Sequence, residues 1–320
     1  MKKVQKTGIL LLVLVLALTA CTSFADTGER GNTMNNGDTR QQTEFRYNRF
    51  ADLYYYLLAH MPIDCAADVS DPEYTAEMAG KLGIFPGIPP KLTEYYEENF
   101  DRLAITGFIP LAVKNTQQFR EALVSCGQLT DRDMEAFVDP MIEICDRVSD
   151  RFYDWWTAHH DEVAPQTDKV YDRFRTLADR LGAFFNNLEM KPSVLFSYSL
   201  RKNGRAFFQP GEIIVYLTYP EKPEEITGCF LQYLHECTHS VTDPLMNRNI
   251  LMADGSHDIA EYQVLVFDEY LLDALYPEMT ETYREWIGQE YLDYAHEVLG
   301  EEGEARLRGR MKPMLNGVTE

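Results

Sequence analysis

Residues 225–242, "EITGCFLQYLHECTHSVT", constrain the fold more than any other stretch of the chain. Their spacing predicts a helix that begins at about residue 223, with His235 and His239 on one face. The opposite face carries the apolar residues Ile226, Phe230, Tyr233, Cys237 and Val241. Gly228 and Gln232 share the histidine face and leave it uncrowded. We therefore expect a helix that packs against a core behind and stays open to a ligand in front.

Short strand patterns precede this helix. Residues 193–200, 206–208 and 212–219 are rich in apolar and aromatic residues, and Asn203-Gly204 and Pro210-Gly211 separate them as turn signals. The sequence thus predicts a small antiparallel β-meander beside the histidine helix. Residues 44–190 show mostly helical periodicity. The expected fold class is α+β, with a helical region at 44–190 and a second region at 191–320.

The N-terminus has the features of a targeting segment. Residues 1–20 have a basic start and a short apolar run, which is typical of a secretion signal and too short for a comfortable membrane span. "LTAC", ending at Cys21, resembles the bacterial lipobox, and the resemblance implies lipidation of Cys21. Residues 21–43 are polar and predict a flexible tether. We expect a membrane-anchored lipoprotein of the cell envelope, facing the periplasm or the exterior.

The charge of the chain limits its partners. The 320 residues have a formal net charge of −21, and removing residues 1–20, which contain three lysines and no acidic residue, would make it −24. Nucleic acid requires a basic surface, so it is not an expected partner. Electrostatic docking on anionic lipid is disfavoured for the same reason.

The cysteines do not predict a metal site. The five that follow Cys21 form no CxxC motif and no cluster with histidine. Cys126 and Cys145 are a candidate disulfide pair, since a secreted protein can form disulfides. Cys229 and Cys237 lie two turns apart on one predicted helix, too far for a bond, and are interpreted as small apolar residues of the core.

"HECTH", residues 235–239, carries the chemistry. Histidines four residues apart on a helix can both direct an imidazole nitrogen to one zinc ion. Glu236 lies 100° around the helix from His235, where it can reach a water molecule without binding the metal. Zinc lowers the pKa of such a water, and Glu236 would act as the general base that accepts its proton.

The run "LQYLHECTHSV" resembles the active-site helix of the zincin metallopeptidases, and the resemblance extends over roughly residues 193–276. It implies a zinc cofactor, hydrolysis of a peptide or protein substrate, and an antiparallel edge strand that pairs with the substrate backbone. Residues 212–219 are the expected edge strand. The order of strands and HExxH helix also resembles that of uncharacterised bacterial lipoproteins. The alternative function is a catalytically silent, surface-binding lipoprotein with a zincin-like fold.

A catalytic zinc needs a third protein ligand. The metzincin extension is absent, since Thr242 and Leu245 replace its glycine and its third histidine. The gluzincins take a glutamate from a second helix instead. Residues 255–276 read as such a helix, with Ser256 as its N-cap and Pro277 after its end.

Two glutamates of that second helix are alternatives for the third ligand. Glu261 lies 22 residues after His239, within reach of a short return loop, and its surroundings resemble the E-x-x-[small]-x-x-F pattern of several gluzincins. Glu269 lies deeper, but Asp273, four residues later, could hydrogen-bond a ligand histidine from the second shell. We favour Glu261, with Glu269 as the alternative. His257 is a weaker third candidate.

Overall fold

The computed structural model describes residues 43–63, 71–182, 184, 191–202, 204–209, 211–246 and 256–315. Cys21, the predicted signal segment and all but the last residue of the predicted tether lie outside these residues. The described part is mostly helical and contains one four-stranded sheet, so the α+β class is confirmed. Within these residues, no helix combines the length and the hydropathy needed to cross a membrane.

Along the chain, one group of helices precedes the three strands of residues 191–218 and a second group follows them. Short 3₁₀ and π turns join several of them. Their bounds are α1 Arg49–Leu58, α2 Pro72–Leu82, α3 Pro90–Glu98, α4 Phe100–Leu103, α5 Thr116–Cys126, α6 Asp139–Ala178, α7 Glu225–Thr242, α8 Ser256–Leu275, α9 Thr280–Ile287 and α10 Gln289–Leu315. α10 bends at Gly300, whose φ of 60° is not helical.

The sheet is mixed and has the strand order β1-β2-β4-β3. β1 Glu44–Tyr47 and β2 Lys191–Ser197 are parallel neighbours, and β2 is also parallel to β4 Glu212–Thr218. β3 Arg205–Gln209 pairs antiparallel with β4. The hairpin predicted at residues 210–211 is confirmed, and Gly211 has the positive φ of 80° that such a turn favours.

The predicted antiparallel meander is wrong in two respects. β2 and β3 do not pair, because β4 lies between them, so these two strands do not form the hairpin predicted from the turn signal. β4 is also a central strand rather than the expected edge; among the described strands, the antiparallel edge is β3. The physical reason is burial. β2 and β4 are apolar on both faces, a pattern that suits inner strands, whereas alternation suits a half-exposed meander.

The sheet separates two hydrophobic cores. Alternate residues of the strands face opposite sides. Leu195 and Ile214 contact the first core, built from α1 to α5 and the first half of α6. Val194 and Val215 contact the second core, built from the second half of α6 and α7 to α10. The sheet therefore joins residues from both sequence regions, since β1 comes from the region at 44–190 and β2 to β4 from the region at 191–320.

The histidine helix α7 packs as its periodicity predicts. Its apolar stripe belongs entirely to the second core, with Ile226, Phe230, Tyr233, Cys237 and Val241 all buried. Gly228 is exposed and Gln232 half-buried on the other face. α7 contacts β4 and β3 on one side and α8 on another, which fixes the histidines between a sheet and a second helix.

The described cysteines do not form the candidate disulfide. Cys145 is a free thiol, so no bond joins it to Cys126. Cys145 is fully buried in the first core, where it serves as a small apolar residue. Cys229 and Cys237 are free as well, in agreement with their predicted role in packing.

Candidate metal centre

α7 holds the two histidine rings next to each other. The ring centroids of His235 and His239 lie 5.1 Å apart, and the ring planes are nearly perpendicular, at 88°. Both residues are buried, with exposed fractions of 8% and 3%. Burial in a packed helix face limits the rotamers of both rings, so the two nitrogens are directed before any ligand arrives.

α8 brings the Glu261 carboxylate against both rings. Its Oε2 lies 3.3 Å from His235 Nε2, and its Oε1 lies 3.5 Å from His239 Nε2. One ligand atom from each of the three residues can be chosen so that all lie within 4.8 Å of one another. The three side chains thus form a group that can hold a metal ion.

These distances match the size of a zinc site. Zinc binds imidazole nitrogen and carboxylate oxygen at about 2.0–2.1 Å, so two ligands of a tetrahedral ion lie roughly 3.3–3.4 Å apart. Each of the two distances from Glu261 to a histidine, one from Oε2 and one from Oε1, is close to this ligand–ligand spacing. A set of two nitrogens and one carboxylate oxygen leaves a fourth position for water, as catalytic zinc sites do.

The other ring nitrogens are held by two aspartates that face away from the metal position. His235 Nδ1 lies 3.2 Å from Asp268 Oδ2, and His239 Nδ1 lies 3.1 Å from Asp243 Oδ1. When each Nδ1 donates to its carboxylate, each Nε2 is left as the ligand atom. Asp268 is fully buried, and the hydroxyl of Tyr283 donates to its Oδ2 at 3.4 Å.

The carboxylates also set the protonation of the rings. Burial alone would lower the pKa of His235, but hydrogen bonds to Asp268 and Glu261 raise this pKa well above its usual value. Burial is likewise outweighed at His239, where the charges of Asp243 and Glu261 raise the pKa to about 9. The metal-free site therefore keeps protons at neutral pH, and a bound metal must displace them.

Glu236 projects from α7 beside the histidines. It is half-buried, and Gln232 Nε2 donates to its Oε1 at 3.2 Å. Gly204, which precedes β3, packs closely against Gln232. A Cβ on Gly204 would lie 3.0 Å from the Gln232 Cγ and 2.8 Å from the Tyr216 carbonyl oxygen. The missing side chain of Gly204 thus lets β3 approach the residue that orients Glu236.

Glu269 and Asp273 lie outside this group. Glu269 is buried about two turns further along α8, where it accepts from Arg284 Nε and contacts His296 Nε2, both at 2.8 Å. Asp273 is exposed and contacts neither ligand histidine in the described hydrogen bonds. Asp268, rather than the predicted Asp273, contacts the ring nitrogen of His235. Asp268 is seven residues after Glu261 and so lies on the same face of α8, whereas Asp273 is twelve residues after it and lies on another face.

Two residues of the site were not found by sequence reasoning. Asp243 follows His239 by four positions and so shares its helix face, and Asp268 follows Glu261 by two full turns. Both spacings are visible in the sequence. The expected spacing was a carboxylate four residues after the third ligand, and neither aspartate has it.

Two tyrosines of the sheet and of α8, which could in principle stabilise an oxyanion, have different positions. Tyr216 is buried in the sheet and donates to Asp52 at 2.6 Å, so it serves the interior of the protein. Tyr262 directly follows Glu261 and is half-buried. The side chain of His257 lies outside the described residues.

No family model, curated protein or solved structure matches this chain. The site itself is therefore the basis for inferring a function.

Proposed function

We propose that the protein is a zinc-dependent peptidase of the gluzincin type. The observation that carries this proposal is the contact of one carboxylate, Glu261, with the Nε2 atoms of both HExxH histidines, at 3.3 Å from Oε2 and 3.5 Å from Oε1. Zinc is the metal that such a mixed imidazole–carboxylate tetrahedron favours. The two aspartates behind the rings add support, because second-shell carboxylates accompany histidine ligands in zinc sites.

Each side chain has a distinct part in peptide hydrolysis. Zinc, when bound, would supply Lewis acidity for water and for the scissile carbonyl. Glu236 would accept the proton of the attacking water and deliver it to the leaving amine. Gln232 orients Glu236, and Asp268 and Asp243 keep the imidazoles in the ligand tautomer. The outer edge of β3, which no other described strand pairs with, would pair with an extended peptide.

The proposed location is the cell envelope. It rests on the sequence of residues 1–21 alone, in which a secretion signal ends at Cys21. Replacing the thiol with Cys21→Ser should release the protein from membranes, because the sequence of residues 22–43 is polar and has no apolar run that could hold the bilayer. A variant found wholly in the membrane fraction would contradict the assignment.

Hydrolysis is tested with Glu236→Gln. The amide keeps the shape of the side chain but cannot accept a proton at neutral pH. We expect this variant to bind zinc as the parent does and to lose about 10²–10⁴-fold in hydrolysis of a fluorogenic peptide library. Glu224→Gln, at the N-terminal end of the same helix, is the matched control and should retain full activity.

Two outcomes would revise the proposal. Equal rates for Glu236→Gln and the parent would show that Glu236 is not the general base. A parent protein that binds one zinc and hydrolyses none of the library would favour the alternative, a catalytically silent lipoprotein that binds a surface partner.

A further inference from the structure

Three tyrosines form a cluster next to the candidate metal centre. Tyr262 follows the ligand Glu261 on α8, and Tyr291 and Tyr294 extend from α10. The Tyr262 ring centroid lies 5.7 Å from that of Tyr291 and 5.6 Å from that of Tyr294, both in edge-to-face geometry. Tyr291 and Tyr294 are 45% and 51% exposed, unusual for large side chains that contact one another. We call this set the tyrosine cluster.

The electrostatic surroundings of the cluster are negative. Burial, together with Tyr262 and the charges of Glu261 and Asp258, raises the pKa of Tyr291 to about 12. Residues 256–298, which include α9 and the first turns of α10, contain eleven carboxylates and one arginine. Some of these carboxylates are paired, as Glu269 is with Arg284 and Glu278 is with Arg180. The cluster thus combines exposed aromatic faces with nearby carboxylates, of which Asp258 and Glu261 act on Tyr291.

Elsewhere the fold places its own cations on such faces. The Arg201 guanidinium lies 4.0 Å from the Tyr74 ring centroid, and that of Arg308 lies 4.5 Å from Tyr270. Within the described residues, the arginine–ring contacts engage other rings than those of the tyrosine cluster. The cluster therefore presents to solvent a surface of the kind that other parts of this protein cover with arginine.

We propose that the tyrosine cluster is the subsite that binds a lysine or arginine side chain of the substrate, close to the scissile bond. This inference rests on the proposed peptidase function and names its substrate class, a peptide with a basic residue beside the bond that is cut. A cation over a tyrosine face is attracted by the ring quadrupole. The surrounding carboxylates add a longer-range attraction, which salt weakens.

An apolar side chain is the competing occupant, since exposed tyrosines also bind aliphatic groups. Charge complementarity favours the cation. A leucine would gain contact area alone, whereas an arginine would gain the ring contact and the field of Asp258 and its neighbours. Salt distinguishes the two occupants, because screening weakens the binding of the charged side chain and leaves that of the apolar one.

The test uses quenched fluorescent peptides that are identical except for one residue, Arg, Gln, Leu or Glu, placed in turn on each side of the cleavable bond. For the parent protein we expect kcat/KM for the best Arg peptide to exceed that for its Gln counterpart roughly tenfold at low salt and about twofold at 0.5 M salt. Glu should be the poorest residue. A Leu peptide hydrolysed faster than the Arg peptide would overturn the proposal in favour of an apolar subsite.

Variants connect this preference to the cluster. Replacing both exposed rings with Tyr291→Leu and Tyr294→Leu should bring the Arg-to-Gln ratio close to one without changing zinc content. Phe85→Leu removes another exposed aromatic, 74% accessible and outside α8 to α10, and should leave the ratio as in the parent. An undiminished ratio in the double variant would show that the cluster does not select the cation.

Binding separates this inference from the peptidase proposal. The same peptides, labelled for fluorescence anisotropy, are titrated into the Glu236→Gln variant, which should not cleave them. Preferential binding of the Arg peptide, lost in the variant that also carries the two tyrosine substitutions, supports the subsite even if the parent hydrolyses nothing. Equal affinity for the Arg, Gln and Glu peptides would overturn it, whatever the hydrolytic activity.

Discussion

Glu261 and Glu269 lie eight residues apart on the same helix, and each contacts histidine, yet their surroundings are opposite. Glu269 is neutralised within the protein, by Arg284 at 2.8 Å and by His296 at 2.8 Å. Glu261 contacts two imidazoles whose other nitrogens are bound by carboxylates, so three acidic groups surround two rings. Three carboxylates around two imidazoles suit a divalent metal, whereas Glu269 is already paired with an arginine.

Removing each glutamate in turn gives the sharpest contrast. Glu261→Ala should lower zinc affinity by more than the 10–100-fold typical of a lost second-shell partner, since it removes a ligand. Glu269→Ala should leave zinc affinity unchanged and lower the free energy of unfolding by about 1–3 kcal/mol, because Arg284 and His296 lose a buried partner. Competitive zinc titration and urea denaturation measure the two effects.

The comparison would fail if the effects were exchanged. A large loss of zinc in Glu269→Ala, beside an unchanged Glu261→Ala, would place the third ligand at the deeper position. Circular dichroism of each variant guards against a loss of zinc through unfolding.

The aspartates behind the rings give the next largest effect. Asp268→Asn and Asp243→Asn should each lower zinc affinity by about 10–100-fold, because the uncharged amide holds the ring tautomer less firmly than the carboxylate does. Asp273→Asn is the matched control on α8 and should bind zinc like the parent. Zinc competition with a chromophoric chelator reports all three, and a loss confined to Asp273→Asn would restore the second-shell role first expected for that residue.

The smallest effect concerns the pH dependence of the Glu269 cluster. Burial alone would lower the pKa of His296, but hydrogen bonds to Glu304 and Glu269 raise it above the usual value of about 6.5. A raised pKa in the folded state stabilises the protein fully below the unfolded pKa, and this stabilisation is lost as pH rises through the folded pKa. His296→Gln should therefore destabilise more at pH 6 than at pH 9, by on the order of 1 kcal/mol or less.

Urea midpoints of the parent and His296→Gln at both pH values, each with zinc removed, measure this difference. Subtracting the variant from the parent cancels the titration of the two metal-site histidines, which is common to both. An equal loss at the two pH values would mean that His296 is not charged by its carboxylates.

The position and faces of α7 could be predicted from the sequence because local periodicity determines them. The apolar stripe of α7, the pairing of His235 with His239, and the extent of α8 all follow from helical spacing within about twenty residues. The choice between Glu261 and Glu269 was harder, since helix position alone does not show which carboxylate already has an arginine partner. Arg284 lies on α9, and its contact with Glu269 depends on tertiary packing.

Long-range pairing explains the errors in the sheet. β1 is contributed by residues 44–47, about 140 positions before β2, and four residues ahead of a helix give little local signal. The Asn203-Gly204 turn signal was real in composition, but β2 is buried on both faces and takes β1 and β4 as neighbours. Burial on both faces outweighs turn propensity in deciding which strands pair.

The central claim is that His235, His239 and Glu261 hold one zinc ion, and elemental analysis tests it most directly. The protein is purified without a histidine tag, dialysed against a weak chelator, and its zinc is measured beside that of the His235→Ala/His239→Ala double variant. The geometry predicts one zinc per chain in the parent and none in the variant, because a lone carboxylate binds zinc poorly. Stoichiometric zinc in a folded double variant, or none in a folded parent supplied with zinc, would contradict it.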